Sequence, residues 1–507
     1  LVLHPLVFEQ SPPNQHARLT ISILSPQGEC VEGEVELSYI ITRLNIHPQR
    51  EEDTVRTKAY QEKRQAILGK PVLGIDPGKQ KHAGSVLDAS GVQQGNAFRF
   101  EVSREGYDET LWKQVGKRLD AWGPEDIVVA IETSCNLWKT AAHYFYGKGY
   151  RVALVKPLVT HHSRPLMKQD FSRTDPKDAF LVADNAQKGH YDTFKVFSPD
   201  TEASHLLSIT YDKLWKDSVK AKQRLRSLME TYFPEYLNAF AIDTQTSLYL
   251  LEKYFLPHHF LALDIEKEAP ILERISRRHH GRETLLDLQA WAKGSIGAPA
   301  QDWEEALRIT LDAWIAELRM IQEQLDRVEK AMVDLARKDP TFSIIRSIPD
   351  INDNLTAQFI AETRGPARFD HFKQIEKLAG YNLRLSESGQ YRGARHMSGI
   401  GNPRLRRILF QMTQQAVKSV PQVRHRFLKR QLKHRRYRKN IVAAISQLLR
   451  LVVALIKADR PYHDQDDWKV SLEHLEQAYQ KAKTPRPRPY RNSHLRRLQL
   501  IRNNQAA

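Results

Sequence analysis

The spacing of apolar residues changes in stages along this chain. Near the start, "RLTISILSPQGECVEGEVELSYI" alternates apolar and polar positions around a cluster of turn residues, as a hairpin does. From residue 72 the pattern is that of an α/β domain. "VLGID" (72–76) reads as a short buried strand. "HAGSVLD" (82–88) and "GNAFRFEV" (95–102) follow at connections short enough for an antiparallel meander. A helix-period stretch from Gly106 to Trp122 precedes the strand "DIVVAIE" (126–132), the helix "NLWKTAAHYFYGKG" and the strand "RVALVK" (151–156). A further helix is expected from Pro176, because proline suits a first turn and Thr174 or Asp175 suits its cap. A three-strand meander followed by alternating helices and strands is the order of a ribonuclease-H-like domain, in which the first and fourth strands are neighbours.

Residues 203–338 change to a seven-residue repeat. One stretch runs Leu207, Tyr211, Leu214, Ser218, Ala221, Leu225, Leu228, Tyr232. The other runs Leu307, Leu311, Trp314, Leu318, Ile321, Leu325, Val328, Met332, Leu335 and stops before Pro340. Alternating spacings of four and three predict coiled-coil packing. The expectation is a seam joining copies of the chain into a dimer or tetramer; the plain alternative is a helical hairpin within one chain. Residues 341–460 read as a second helical domain. Its "IIRSIPDINDNLTAQFIAE" resembles a helix-hairpin-helix with Asp350 and Asn352 at the usual glycine places, which favours a structural remnant over a DNA contact. The apolar run 441–458 carries Arg450 near its centre, so a buried or amphipathic helix is expected and no membrane span. The fold class expected is α/β plus all-α: an extension of unknown role (1–71), a ribonuclease-H-like domain (72–195), a helical coiled-coil connector (200–340), a helical C-terminal domain (341–460) and a basic tail (461–507).

Charge narrows the function. The 507 residues hold 77 Lys and Arg against 60 Asp and Glu, a net charge of +17, which points to a nucleic-acid partner. The excess is concentrated between Arg384 and Arg450, where 17 basic residues face one acid, Glu387. "RHRFLKRQLKHRRYRKN" (424–440) is its peak, with Phe427 and Tyr437 interleaved; the candidates for nucleic-acid contact there are Lys429, Arg430, Arg435, Arg436 and Arg438. Two cysteines, Cys30 and Cys135, are too few for a disulfide framework or a structural zinc site and fit a reducing cytoplasm. No signal-peptide pattern is read at the N-terminus.

Against this basic background four acids stand at element ends. Asp76 closes the first strand, Glu132 closes the fourth, and Asp175 and Asp178 lie three apart on a first helical turn. Taken singly each has a plain reading as turn former, strand-end charge, cap or first-turn acid. Together they repel unless a counter-charge is present, and Mg²⁺ would supply it for phosphoryl transfer. Asp170 and Asp184 read as surface or capping acids, and the His161–His162 pair as a loop or phosphate contact.

"LGIDPGKQKHAGSVLD", "AIETSCNLWKTAAHYFYGKGYRVALVKPLVTHHSR" and "RTDPKDAFLVAD" resemble the N-terminal domain of the DEDD transposases of bacterial insertion sequences, the IS110 family, whose relatives include the Piv DNA invertase. The stretch from "IIRSIPDIN" to "MSGIGNPRLRRILFQMTQQAV" is similar to that family's C-terminal domain. The resemblance implies a site-specific recombinase with Asp76, Glu132, Asp175 and Asp178 on Mg²⁺. It implies a serine before a glycine, here Ser388, as the nucleophile, with Ser386 and Ser398 as rivals and Arg384, Arg392 and Arg395 near the phosphate. The family's lysine before the "L-R" run is absent, with Arg404 or Arg406 as its replacement; Arg407 stands beside them as a further nucleic-acid-binding candidate. The resemblance also implies a guide non-coding RNA pairing with target and donor DNA, a multimer with sites shared between subunits, and a prokaryotic, nucleoid-associated location. Two other readings compete: a Holliday-junction resolvase that needs no serine, and a silent nucleic-acid-binding protein.

Overall fold

A computed structural model describes strands 18–24 and 30–36 and residues 60–134, 136–168, 175–384, 387–388, 391–392, 396–433, 436–463 and 469–482. The chain divides into two compact units, Leu1–Val196 and Phe197–Ala507.

In the first unit the alternating N-terminal segment forms the antiparallel pair β1 (Arg18–Leu24) and β2 (Cys30–Glu36). The α/β pattern forms a sheet of β3 (Val72–Asp76), β4 (Lys81–Leu87), β5 (Phe98–Glu101), β6 (Val128–Glu132), β7 (Arg151–Val155) and the short β8 (Asp192–Thr193), in the order β5-β4-β3-β6-β7-β8. β3, β4 and β5 are the antiparallel meander; β6 lies parallel to β3, and β7 parallel to β6. The strands are continuous apolar runs because both faces are covered. Leu73, Ile75, Val129 and Ile131 face one core, shared with α1 (Leu111–Val115) and α2 (Trp138–Gly147). Their strand neighbours Val72, Val128 and Ala130 face the other, shared with Val182, Ala183 and Ala186 of α4 (Asp175–Gln187). α3 (Pro157–Lys168) precedes α4 and packs beside it, Ser163 Oγ donating to Asn185 Oδ1 at 2.9 Å.

The second unit opens with α5 (Pro199–Tyr232), 34 residues and about 50 Å long. Ser198 caps it, accepting from the Thr201 N–H, and Pro199 occupies its first turn. α6 (Tyr236–Ala239), α7 (Gln245–Lys253), α8 (Pro257–Leu261), α9 (Ile265–Ile275) and α10 (Arg282–Lys293) lead to the 33-residue α11 (Glu304–Ala336). Tyr211 meets Glu329, Arg224 meets Glu317 and Asp200 meets Lys338, so α5 and α11 run antiparallel. Ala221, Leu225 and Leu228 share a core with Leu307, Leu311, Leu318 and Ile321. The two heptad seams therefore cover each other within one chain. The helical hairpin within one chain, the plain alternative, accounts for the repeat.

The remaining elements are α12 (Thr341–Arg346), α13 (Asp353–Thr363), α14 (Phe372–Ala379), the strands β9 (Leu383–Arg384), β10 (Glu387–Ser388), β11 (Tyr391–Arg392) and β12 (His396–Met397), then α15 (Pro403–Ser419), α16 (Pro421–Lys433), α17 (Tyr437–Lys457) and α18 (Lys469–Ala482). α17 is long and apolar enough by composition to cross a bilayer. Its Ile441, Ala444, Ile445, Leu448, Leu449 and Val452 instead fill the core of this helical region, which accounts for its apolarity. The turn before α13 forms without glycine: Asp350 takes a left-handed φ of 61° and Asn352 caps α13 by accepting from the Leu355 N–H.

Candidate active site

The parallel register of β3 and β6 runs Val72↔Val128 to Ile75↔Ile131. One step further it sets Asp76 beside Glu132, at the C-terminal ends of neighbouring strands. Alternation then fixes the face. Residues 72, 74 and 76, and 128, 130 and 132, point to the side occupied by α4. That helix lies unusually close. A Cβ on Gly74 would stand 2.2 Å from the Ala179 carbonyl oxygen and 2.7 Å from the Ala183 nitrogen, so the absence of a side chain lets α4 rest on the strand. Asp178, in the first turn of α4 and buried, is thereby brought to the edge where Asp76 and Glu132 end.

α3 closes this group from outside. The Thr160 hydroxyl donates to Glu132 Oε1. One turn on, Arg164 donates from Nε and Nη2 to the two Asp178 oxygens, each at 2.7 Å. The hydrogen bond to Asp178 raises the Arg164 pKa above its ordinary value, and the charges of Asp178, Glu132 and Asp76 add to that rise against desolvation. A guanidinium thus sits in the combined field of three carboxylates. An oxygen-rich donor set already satisfied by one cation has the chemistry of a hard divalent-ion site. Asp76, Glu132 and Asp178 are the described residues that fit such an ion. Of Asp175 the backbone alone is described, as the first residue of α4.

The turn after Asp76 is held by His82, which is fully buried. Its Nδ1 accepts from the Gly78 N–H at 3.1 Å, so Nε2 carries the proton and donates to the Tyr107 oxygen at 2.7 Å. Burial pushes the His82 pKa down to about 4.

The candidate serine lies in the second unit. β9 pairs with β12 and β10 with β11, both antiparallel, and Ser388↔Tyr391 is a pair of the second. Of Arg384, Ser388 and Arg392 the backbone alone is described; Ser386, Arg395 and Arg435 lie outside the described residues. The rival Ser398 has a structural task, its hydroxyl donating to Asn382 Oδ1 at 2.6 Å at the base of these pairs.

The α15 arginines, candidates for phosphate contact, are half-buried and bond within the chain. Arg404 donates to Glu362 at 2.7 Å. Arg406 donates to the carbonyls of Ala379 and Gly399 at 3.0 and 2.7 Å. Arg407 pairs with Asp212 at 3.1 Å and stacks over Trp215. Glu362, its side chain wholly buried, also accepts from Ser208 and Asn402. Burial pushes Glu362 up, but the bonds from Arg404, Asn402 and Ser208 outweigh it and hold its pKa below the ordinary carboxylate value. Lys429, Arg436 and Arg438 remain on the surface, with Arg430 half-buried.

Sequence reasoning passed over Arg164, Thr160, His82 and Glu362. The first pair had a signal, a threonine and an arginine four apart on the helix after the fifth strand. Glu362 had none, since its partners come from distant elements. His161 and His162 are exposed on α3. His258, His259 and Glu304 form, among the described residues, the one His/Cys/Asp/Glu group whose ligand atoms all lie within 4.8 Å. His259 Nδ1 accepts from the Phe255 and Leu256 N–H groups, so its Nε2 carries a proton toward Glu304, the wrong tautomer for a ligand.

Residues 73–234 match a family model described as a transposase of the DEDD IS110 type. Residues 342–428 match one described as the transposase IS116/IS110/IS902 family. A search of curated proteins found no match. The first match contains all four acids and Arg164; the second contains Ser388 and α15.

Proposed function

The chain belongs to the IS110 family of transposases, and on that premise we propose that it recombines DNA with a carboxylate-held divalent ion and a serine nucleophile. As a transposase it is a DNA-processing enzyme, and its family implies a divalent cation. The finer reading is that Asp76, Glu132, Asp175 and Asp178 hold Mg²⁺ and Ser388 attacks the phosphodiester. The observation that supports it is the shared end of β3 and β6, where Asp76 and Glu132 lie side by side and face the helix bearing Asp178.

Bound there, the cation would polarise the scissile phosphate and offset charge on the leaving oxygen. The rest falls to the chain. Asp76 and Glu132, fixed by the sheet, would hold that ion in place for the reacting phosphate; the His82-braced turn steadies the chain just after Asp76. Ser388 Oγ forms the new bond to phosphorus and gives up its proton, while the bond to one deoxyribose oxygen breaks and that oxygen leaves as a hydroxyl. The result is a phosphoserine ester. In rejoining, a deoxyribose hydroxyl attacks that ester, a phosphodiester re-forms and the serine recovers its proton. Lys429, Arg430, Arg435, Arg436 and Arg438, with Arg384, Arg392 and Arg395, are the cations for target and donor DNA and for a structured guide RNA. Family resemblance supports the guide and a multimer with shared sites; the net charge of +17 is compatible with the first.

Ser388→Ala tests the serine. Incubated with element-end DNA and Mg²⁺, the wild type should yield a protein–DNA adduct stable to denaturation. The variant should bind DNA with unchanged affinity and yield none, a loss of at least about a thousandfold. Strand cleavage that survives the substitution would put the resolvase reading in its place.

A further inference from the structure

The proposed reaction gives Arg164 no task, yet it is paired with one acid of the carboxylate group. Its guanidinium takes both Asp178 oxygens at 2.7 Å, and the paired side chains are only 13% and 12% exposed. It is held there by its own helix. Thr160, one turn earlier on the same face of α3, is hydrogen-bonded to Glu132. One helix face thus delivers a hydroxyl to one acid and a fixed cation to another. The acids are also kept apart: among the described residues, Asp76, Glu132 and Asp178 do not form a group with all ligand atoms within 4.8 Å. A divalent ion needs these oxygens closer together, and a guanidinium beside it repels it.

We propose, resting on the carboxylate reading above, that Arg164 is a place-holding cation: it neutralises and spaces the acids of the metal-free protein, and divalent-ion binding displaces it from Asp178. The two states differ in the partner of one carboxylate. With the guanidinium in place the group is stable and inert. With the ion in place Asp178 turns to it, and α3 loses its strongest tie to α4. Metal occupancy and the hold on α3 are therefore opposed, and any ligand that draws Arg164 away, such as a nucleic-acid phosphate, raises the affinity of the site for its ion.

The test uses the full chain and Mn²⁺ as the probe. Calorimetric titration of Arg164→Gln should show Mn²⁺ bound at least about tenfold more tightly than by the wild type. Arg164→Lys, which keeps the charge without the fork, should fall between them. In the wild type, Mn²⁺ should speed amide hydrogen exchange in residues 157–168 while leaving β1 and β2 unchanged. That measurement decides the matter even where Arg164→Gln does not fold. Wild-type Mn²⁺ binding with equal or weaker affinity in Arg164→Gln, or with unchanged or slower exchange in α3, overturns the place-holder and leaves the carboxylate site standing. Failure of the wild type itself to bind Mn²⁺ overturns both.

Discussion

At the scale of single residues, the geometry depends on atoms that carry no chemistry. Gly74 lets α4, which carries Asp178, rest on the strand that ends in Asp76, because nothing separates its backbone from the Ala179 carbonyl. His82 holds the turn that follows Asp76 only while neutral, since a proton on Nδ1 would face the Gly78 N–H. Burial sets its pKa at about 4 against an ordinary 6.5. The folded chain thus binds this proton less well than the unfolded chain. Stability from His82 is whole above pH 6.5 and is lost as pH falls toward 4, about 2 kcal/mol of it by pH 5 and about 3 kcal/mol in all. Hydrogen exchange of the β3 and β4 amides, corrected for intrinsic rates, should show that loss between pH 7.5 and 5 in the wild type and a flatter profile in His82→Asn. Equal slopes would remove His82 from the account. The acids were legible in the sequence because strand ends and a proline-marked helix start are local signals. Arg164 was not, because its meaning comes from Asp178 on another helix.

At the scale of elements, the same division holds. The heptads of α5 and α11 announced two long helices, but a period says only that a face is buried, not what buries it. Ala221 and Leu225 meet Leu311 and Leu318 of the same chain. The short strands of 383–397 had no periodic signal, being two residues each. The glycine-rich run after them forms a tight joint: a Cβ on Gly401 would stand 2.5 Å from the Leu378 carbonyl oxygen. Beneath that joint Glu362 ties α5, α13 and the start of α15 together through Ser208, Asn402 and Arg404. Glu362→Ala leaves a guanidinium and an amide unpartnered, and should cost about 3 kcal/mol in denaturant unfolding of the second unit. A cost under about 1 kcal/mol would mean that the network is incidental.

At the scale of the whole molecule, the charge excess and the carboxylates belong to different units. The basic candidates Lys429, Arg436 and Arg438 lie on and between α16 and α17, while the acids end β3 and β6 and begin α4. The account unites them by one claim, that the acids of the first unit hold the ion at which DNA reacts. Anomalous diffraction from crystals of the full chain grown with Mn²⁺ tests it most directly. The account predicts a peak ligated by Asp76, Glu132 and Asp178, with Arg164 withdrawn. Carboxylates still paired with Arg164 and no peak beside them, or manganese found only at His258, His259 and Glu304, would contradict it.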